Sequence, residues 1–156
     1  LYGVKPDVMA LAKALGCGVP VGAFVTNEKA SHALVPGDHG TTYGGNPFVG
    51  AAVDKVLELM EKEHLTEHVK EIAPYLEKRL DELVEKHECA AARRGMGFMQ
   101  GIVIAGRPVG EIVKKALEKK LLVISAGSDV LRIVPPLVIT KADIDEMAEI
   151  LDECLA

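Results

Sequence analysis

Apolar residues recur at helical spacing in several long stretches of this sequence and cluster in short runs between them. Phe48, Ala51, Ala52, Val56, Leu59 and Met60 share one helix face and predict a helix from Pro47 to about Glu63. Asn46 followed by Pro47 supplies its start, an N-cap and then a proline at the first helical position. Val69, Ile72, Ala73, Leu76, Leu80, Leu83 and Val84 predict a second helix, with a kink at Pro74, where a backbone hydrogen bond is lost. After His87 the pattern turns extended: strands are expected at Glu88–Arg94 and Phe98–Ile104, around Gly95 and Gly97. A helix over Val109–Lys120 follows, then strands at Leu122–Ser125 and Val130–Val134. Thr140 caps a last helix carrying Ile144, Met147, Ala148 and Leu151, with Asp143 as its capping-box partner. The order strand–strand–helix–strand–strand–helix describes a small α+β layer with helices on one face.

Upstream of residue 47 the pattern is weaker. The segment before Lys13 reads as loop. A short strand is expected at Val21–Thr26, then a helix over Glu28–Leu34 capped by Asn27. Pro36 to Asn46 is a turn-rich loop. Nine of the fifteen glycines lie in the first fifty residues beside only six charged side chains, which predicts close backbone approach and burial there.

Composition narrows the class. The chain has 156 residues, 49% hydrophobic and 26% charged, as in ordinary globular proteins. No apolar run approaches the roughly 18 residues that a transmembrane helix needs. Leu1 is not a start methionine and no signal pattern follows it, so the first residue reads as a cut. The net charge of −5 arises entirely in the last segment, where residues 121–156 hold two basic and seven acidic side chains. No basic stripe remains to serve nucleic acid. Cys17, Cys89 and Cys154 form no CxxC pair, which argues against a metal site or disulfide framework and fits a reduced, cytoplasmic setting.

Two charges stand apart. Lys13 is the only charged residue between Asp7 and Glu28. A buried amine becomes a neutral nucleophile fit for a Schiff base; the commoner alternative is a stem lying on apolar surface with its head in water. Arg132 stands alone between Asp129 and Lys141. Burial would demand an anion for it, either a ligand carboxylate or an acid brought in by the fold. The Gly-Thr-Thr-Tyr-Gly-Gly-Asn loop just before the helix at Pro47 suits phosphate, although most glycine-rich turns are plain connections. His39 in that loop reads as structural or exposed, and His64 with His68 as a solvated helix face. No GxxxxGK[ST] motif occurs, and Gly95 to Gly101 has the wrong spacing for a dinucleotide loop.

Four blocks in order carry a resemblance that covers essentially the whole chain. They are Gly-Val-Lys-Pro-Asp (3–7) leading into Leu-Ala-Lys-Ala-Leu-Gly-Cys-Gly-Val-Pro-Val-Gly-Ala (11–23), His-Gly-Thr-Thr-Tyr-Gly-Gly-Asn-Pro (39–47), Arg-Gly-Met-Gly-Phe-Met (94–99) and Leu-Arg-Ile-Val-Pro-Pro-Leu-Val-Ile-Thr (131–140). The sequence resembles the C-terminal part of class-III pyridoxal-phosphate-dependent aminotransferases. The resemblance implies an α/β fold of fold type I, represented by the end of the large cofactor domain (1–46), a linking helix (47–63) and a small C-terminal α+β domain (64–156). It also implies a homodimer.

By the same resemblance Lys13 is the lysine that holds pyridoxal 5′-phosphate as a Schiff base. Thr42 binds the cofactor phosphate across the subunit boundary, Thr41 lies near the substrate, and Arg132 clasps the substrate α-carboxylate. N-acetylornithine as amino donor and 2-oxoglutarate as acceptor, in arginine biosynthesis, are implied, with ornithine, succinylornithine or 4-aminobutyrate as alternative donors. Cys17 stands where the family usually has glycine. The acid that pairs the cofactor ring nitrogen lies upstream of the catalytic lysine in the family, outside these residues. The 156 residues alone are therefore expected to be inactive, with an open sheet edge at Val21–Thr26. A non-catalytic module derived from an aminotransferase is the competing expectation.

Overall fold

The computed structural model describes residues 2–156; Leu1 lies outside the described residues. The chain divides into two compact units, one ending at Glu63 and one running from His64 to Ala156.

In the first unit, β1 (Val8–Leu11) pairs antiparallel with β2 (Ala23–Thr26), Val8 opposite Thr26 and Leu11 opposite Ala23. β1 was not expected, because Val-Met-Ala-Leu shows no alternation; none of its four residues is fully buried. It gives β2 a partner on one edge. The ribbon is closed at Asp7, whose carbonyl accepts from Asn27 N at 3.0 Å and whose Oδ1 accepts from Asn27 Nδ2 at 2.8 Å. Asn27 also caps α1 (Glu28–Ser31), its Oδ1 accepting from Ala30 N. α1 stops short of the expected Leu34, which is exposed and gives a further turn nothing to pack against. The loop that follows leads to Asn46, whose Oδ1 accepts from Val49 N at 3.1 Å and starts α2 (Pro47–Lys62).

Burial of this region, expected from its glycines and scarce charge, is not found. Among the described residues of the unit only Gly16 and Val49 are buried. A two-stranded ribbon has no second layer to cover it, and a low charge count does not create one.

The second unit holds the core. It comprises α3 (Leu65–Lys86), β3 (Ala90–Met96), β4 (Met99–Ile104), α4 (Val109–Glu118), β5 (Ile124–Ala126), β6 (Val130–Ile133) and α5 (Lys141–Leu155). The strands form one antiparallel sheet in the order β3-β4-β6-β5. Leu76 and Leu80 of α3, Ile102 of β4, Ile112 of α4, Leu131 of β6 and Ile144 and Leu151 of α5 are fully buried in a single cluster. α3 continues through Pro74, which is exposed. The expected helices and strands are all present, with ends displaced by a few residues at most.

Polar groups inside this unit are paired. Gln100 is the one buried polar residue among those described. Its side chain accepts from Arg93 Nη1 at 3.1 Å and donates to Gly97 O at 2.8 Å and Glu77 Oε1 at 3.2 Å. Arg93 also grips Asp81 through Nε at 2.7 Å and Nη2 at 3.2 Å. Thr140 and Asp143 make the expected capping box. His68 departs from its expected solvated role: it is half-buried, its Nε2 donates to Ile139 O at 2.9 Å, and its ring meets Phe98 edge-on. The helix turn that carries it packs toward the sheet, so one of the two i,i+4 histidines points inward while His64 stays exposed.

Candidate active site

Lys13 opens a 3-10 turn, Lys13–Gly16, inserted between β1 and β2 and packed against α2. The chain leaves extended geometry at Ala12 and enters the left-handed region at Lys13, φ 56°. Only a few per cent of non-glycine residues adopt positive φ, and such residues gather at functional sites. The turn is tied by Leu15 N to Ala12 O at 3.2 Å and Cys17 N to Ala14 O at 3.0 Å. Cys17 closes it, also left-handed, at φ 48° and ψ 48°. That backbone explains a preference for glycine at this position, which has no Cβ to clash.

The Lys13 side chain is exposed, which agrees with the commoner of the two sequence readings, the head in water, and not with the buried amine. It has no hydrogen bond or ion pair among the described residues, so its amine is available.

Thr41 and Thr42 lie in the exposed loop before α2. Thr41 Oγ1 accepts from Gly44 N at 3.3 Å, and a Cβ on Gly44 would lie 2.2 Å from Thr41 Cγ2, so the turn requires glycine there. Asn46 Nδ2 donates to Tyr43 O at 2.7 Å and locks the loop onto the helix start. The Thr42 hydroxyl is left without a partner among the described residues. His39 is exposed in the same loop.

Arg132 sits on β6 between the buried Leu131 and Ile133. Strand alternation turns it to the opposite face, where it is exposed. Its isolation among apolar neighbours thus reflects the pleat, and no buried cation needs neutralising. Its cross-strand neighbours are Gly101 on β4 and Ile124 on β5. Arg94, absent from the sequence-based candidates, lies on the far side of Gly101 in the same row. The signal was available: consecutive arginines on a strand point to opposite faces, and only Arg93 can join the core side. Lys13, Thr41 and Thr42 are thus in the first unit and Arg132 in the second, and no hydrogen bond or ion pair joins any two of them.

A profile of the class-III aminotransferases matches residues 1–155. The chain belongs to the class-III aminotransferase family. It is 44% identical over 155 residues to the acetylornithine aminotransferase of Caldanaerobacter subterraneus, covering 99% of this chain and 39% of that protein. The acetylornithine aminotransferase of Methanocaldococcus jannaschii is 43% identical over 152 residues, 97% of this chain and 38% of its own length. Among solved structures, Plasmodium falciparum ornithine delta-aminotransferase superposes with a TM-score of 0.92 at 36% identity, covering 99% of this chain and 41% of that one. Acetylornithine aminotransferase from Elizabethkingia anophelis gives a TM-score of 0.91 at 29% identity, covering 98% of this chain and 39% of that one. The chain spans about two fifths of the length of these relatives.

Class-III aminotransferases depend on pyridoxal 5′-phosphate. The residues of this chain fit that group. Lys13 offers an unengaged primary amine for its aldehyde. Thr42 offers an unengaged hydroxyl ahead of the N-terminus of α2, a favourable place for phosphate. Among the described residues no cluster of His, Cys, Asp and Glu is arranged to hold a metal ion, and no helix is long and apolar enough to cross a membrane.

Proposed function

We propose that this chain is the C-terminal part of an aminotransferase that moves the amino group of N-acetylornithine to 2-oxoglutarate. Residues 1–46 belong to the large cofactor domain, 47–63 form the linking helix and 64–156 the small domain. The observation that carries the reading is Lys13: an unengaged amine held at a left-handed position, inside a family match that spans residues 1–155. When bound, pyridoxal phosphate supplies the electron sink for the reaction. Lys13 Nζ would hold it by its aldehyde, and the same amine is the group placed to take up and return a proton at the substrate carbon. Arg132 holds the substrate carboxylate with its planar fork. The Thr42 hydroxyl holds the phosphate of the partner subunit's site in a homodimer, and Thr41 borders the substrate. The names of the acetylornithine relatives support the donor, and through it a place in cytoplasmic arginine biosynthesis.

The test joins this chain to the upstream part of the Caldanaerobacter subterraneus relative and measures glutamate formed from N-acetylornithine and 2-oxoglutarate. Activity in the joined protein, lost with Lys13→Ala and absent from the 156-residue chain alone, is expected. Turnover of ornithine, succinylornithine or 4-aminobutyrate in preference would reassign the donor. A folded joined protein that turns over none of these donors would overturn the reading in favour of a non-catalytic module.

A further inference from the structure

The turn that carries Lys13 is followed at once by a second one. Gly16 O accepts from Val19 N at 3.1 Å across Cys17 and Gly18, both left-handed at φ 48° and 101°. The chain therefore folds back directly after the lysine turn, and Val19 and Val21 return toward β2. Gly16 is where the outgoing and returning segments meet. Apart from Val49 it is the only buried residue of the first unit among those described.

The meeting is close. A Cβ added to Gly16 would lie 2.6 Å from Val21 Cγ1 and 3.4 Å from Val19 Cβ. Carbon atoms in contact settle at about 3.5–4.0 Å, so a methyl at Gly16 must displace something by roughly 1 Å. Val21 is branched at Cβ and stiff at χ1, and yields little. What can give is the backbone from Lys13 to Gly16, tied by two hydrogen bonds, Leu15 N to Ala12 O and Cys17 N to Ala14 O, and packed against α2. Lys13 is the strained member of that stretch, at φ 56°. A non-glycine residue persists in the left-handed region only where its surroundings over-determine it. The seat of Val21 against Gly16 is such a surrounding.

We propose that Gly16 is a positioning residue for Lys13. Its missing side chain lets Val21 seat against the turn, and that contact holds the left-handed Lys13 backbone and so aims the Lys13 amine at the cofactor aldehyde. The inference rests on the reading of Lys13 as the lysine that holds pyridoxal phosphate. Gly16 has no group of its own to offer cofactor or substrate and acts through Lys13.

The test uses the protein joined to the upstream part of the Caldanaerobacter subterraneus relative. It is treated with limiting pyridoxal phosphate, reduced briefly with borohydride and mapped by peptide, well below the melting temperature of each variant. The wild-type joined protein is expected to carry its pyridoxyl group on Lys13. Gly16→Ala should lower the fraction fixed there by at least about tenfold, since a misplacement of about 1 Å can cost up to a hundredfold. The low background at Lys55 and Lys78 should not change. Gly16→Ala combined with Val21→Ala should restore fixation, because the added methyl then has room. If Gly16→Ala lowers only the melting temperature and still fixes Lys13 like the wild type, Gly16 is merely structural and the proposal falls. Equal loss in the single and double variants removes Val21 from the account and also overturns it. So does a rise at Lys55 and Lys78, which reports unfolding in place of misplacement. Where Gly16→Ala does not fold, the double variant decides: wild-type fixation on Lys13 supports the proposal and a loss overturns it. A wild-type joined protein with no pyridoxyl group on Lys13 overturns the reading of Lys13 itself, whereas the other failures leave that reading standing.

Discussion

The two units of this chain differ in what they hold: most of the candidate site residues lie in the first and the core lies in the second. The unit ending at Glu63 has few charges, most of the glycines, the lysine proposed to form the Schiff base and the threonine loop, yet almost nothing in it is buried. The unit from His64 onward is rich in charge and contains the entire hydrophobic cluster. Within these residues, scarce charge in the first unit brings no core with it, whereas apolar periodicity in the second does. Four strands and three helices can cover one another, whereas a ribbon, a turn and one long helix cannot.

The sharpest way to break that contrast is to remove core volume. Leu76→Ala, at a fully buried position, should destabilise the second unit by about 2–5 kcal/mol. Phe24→Ala, on the exposed ribbon, should stay within about 0.5 kcal/mol. Urea unfolding followed by circular dichroism checks both, and equal effects would erase the distinction between the units.

Next comes the buried polar group. Gln100→Ala deprives Arg93 and Glu77 of a partner and should cost about 1–3 kcal/mol in the same assay. A neutral result would mean that the Arg93–Asp81 pair alone holds β3 against α3.

The second unit should also carry the acid sensitivity. Hydrogen bonds from Lys86 and then His87 hold the Asp152 carboxyl below its ordinary value of 3.8, against a smaller opposing effect of burial. A carboxyl depressed on folding stabilises fully above its unfolded value and loses that contribution as pH falls through the folded one. Stability of the wild-type chain should thus decline below about pH 4, and Asp152→Asn should be weaker at neutral pH and flatter in acid. Thermal melts across that range decide it; identical slopes would remove Asp152 from the account.

The smallest effects sharpen the comparison most. Lys13 and Lys120 both have left-handed backbones, at φ 56° and 65°. Lys120 sits where α4 closes, with Lys120 N on Leu117 O and Leu121 N on Ala116 O, each at 2.9 Å, the usual place for a left-handed residue. Glycine at either position should relieve about 1 kcal/mol of backbone strain. Lys120→Gly should raise the melting temperature and change nothing else. Lys13→Gly should remove cofactor attachment as well, strain being kept there for function.

What the sequence revealed follows the same division. α2 to α5 were legible because Asn46–Pro47, the Leu76–Leu80–Leu83 stripe and Thr140–Asp143 are local signals read by local physics. β1 was not, because Val8–Leu11 is an apolar run without alternation that depends on β2 for its pairing. Lys13 and Arg132 stood out as isolated charges and Thr42 through its loop and the family resemblance, but isolation could not decide between burial and a head in water, and the structure leaves all three exposed. The row that joins Arg94, Gly101 and Arg132 was not legible, because cross-strand register brings together residues 38 positions apart.

The central claim is that Lys13 is the amine that holds pyridoxal phosphate. The most direct test treats the protein joined to the upstream part of its relative with pyridoxal phosphate, reduces it with borohydride and maps the modified peptide. The account predicts a single pyridoxyl group on Lys13, lost in Lys13→Ala. Modification spread over helix-surface lysines such as Lys55 and Lys78, or unchanged in Lys13→Ala, would contradict it.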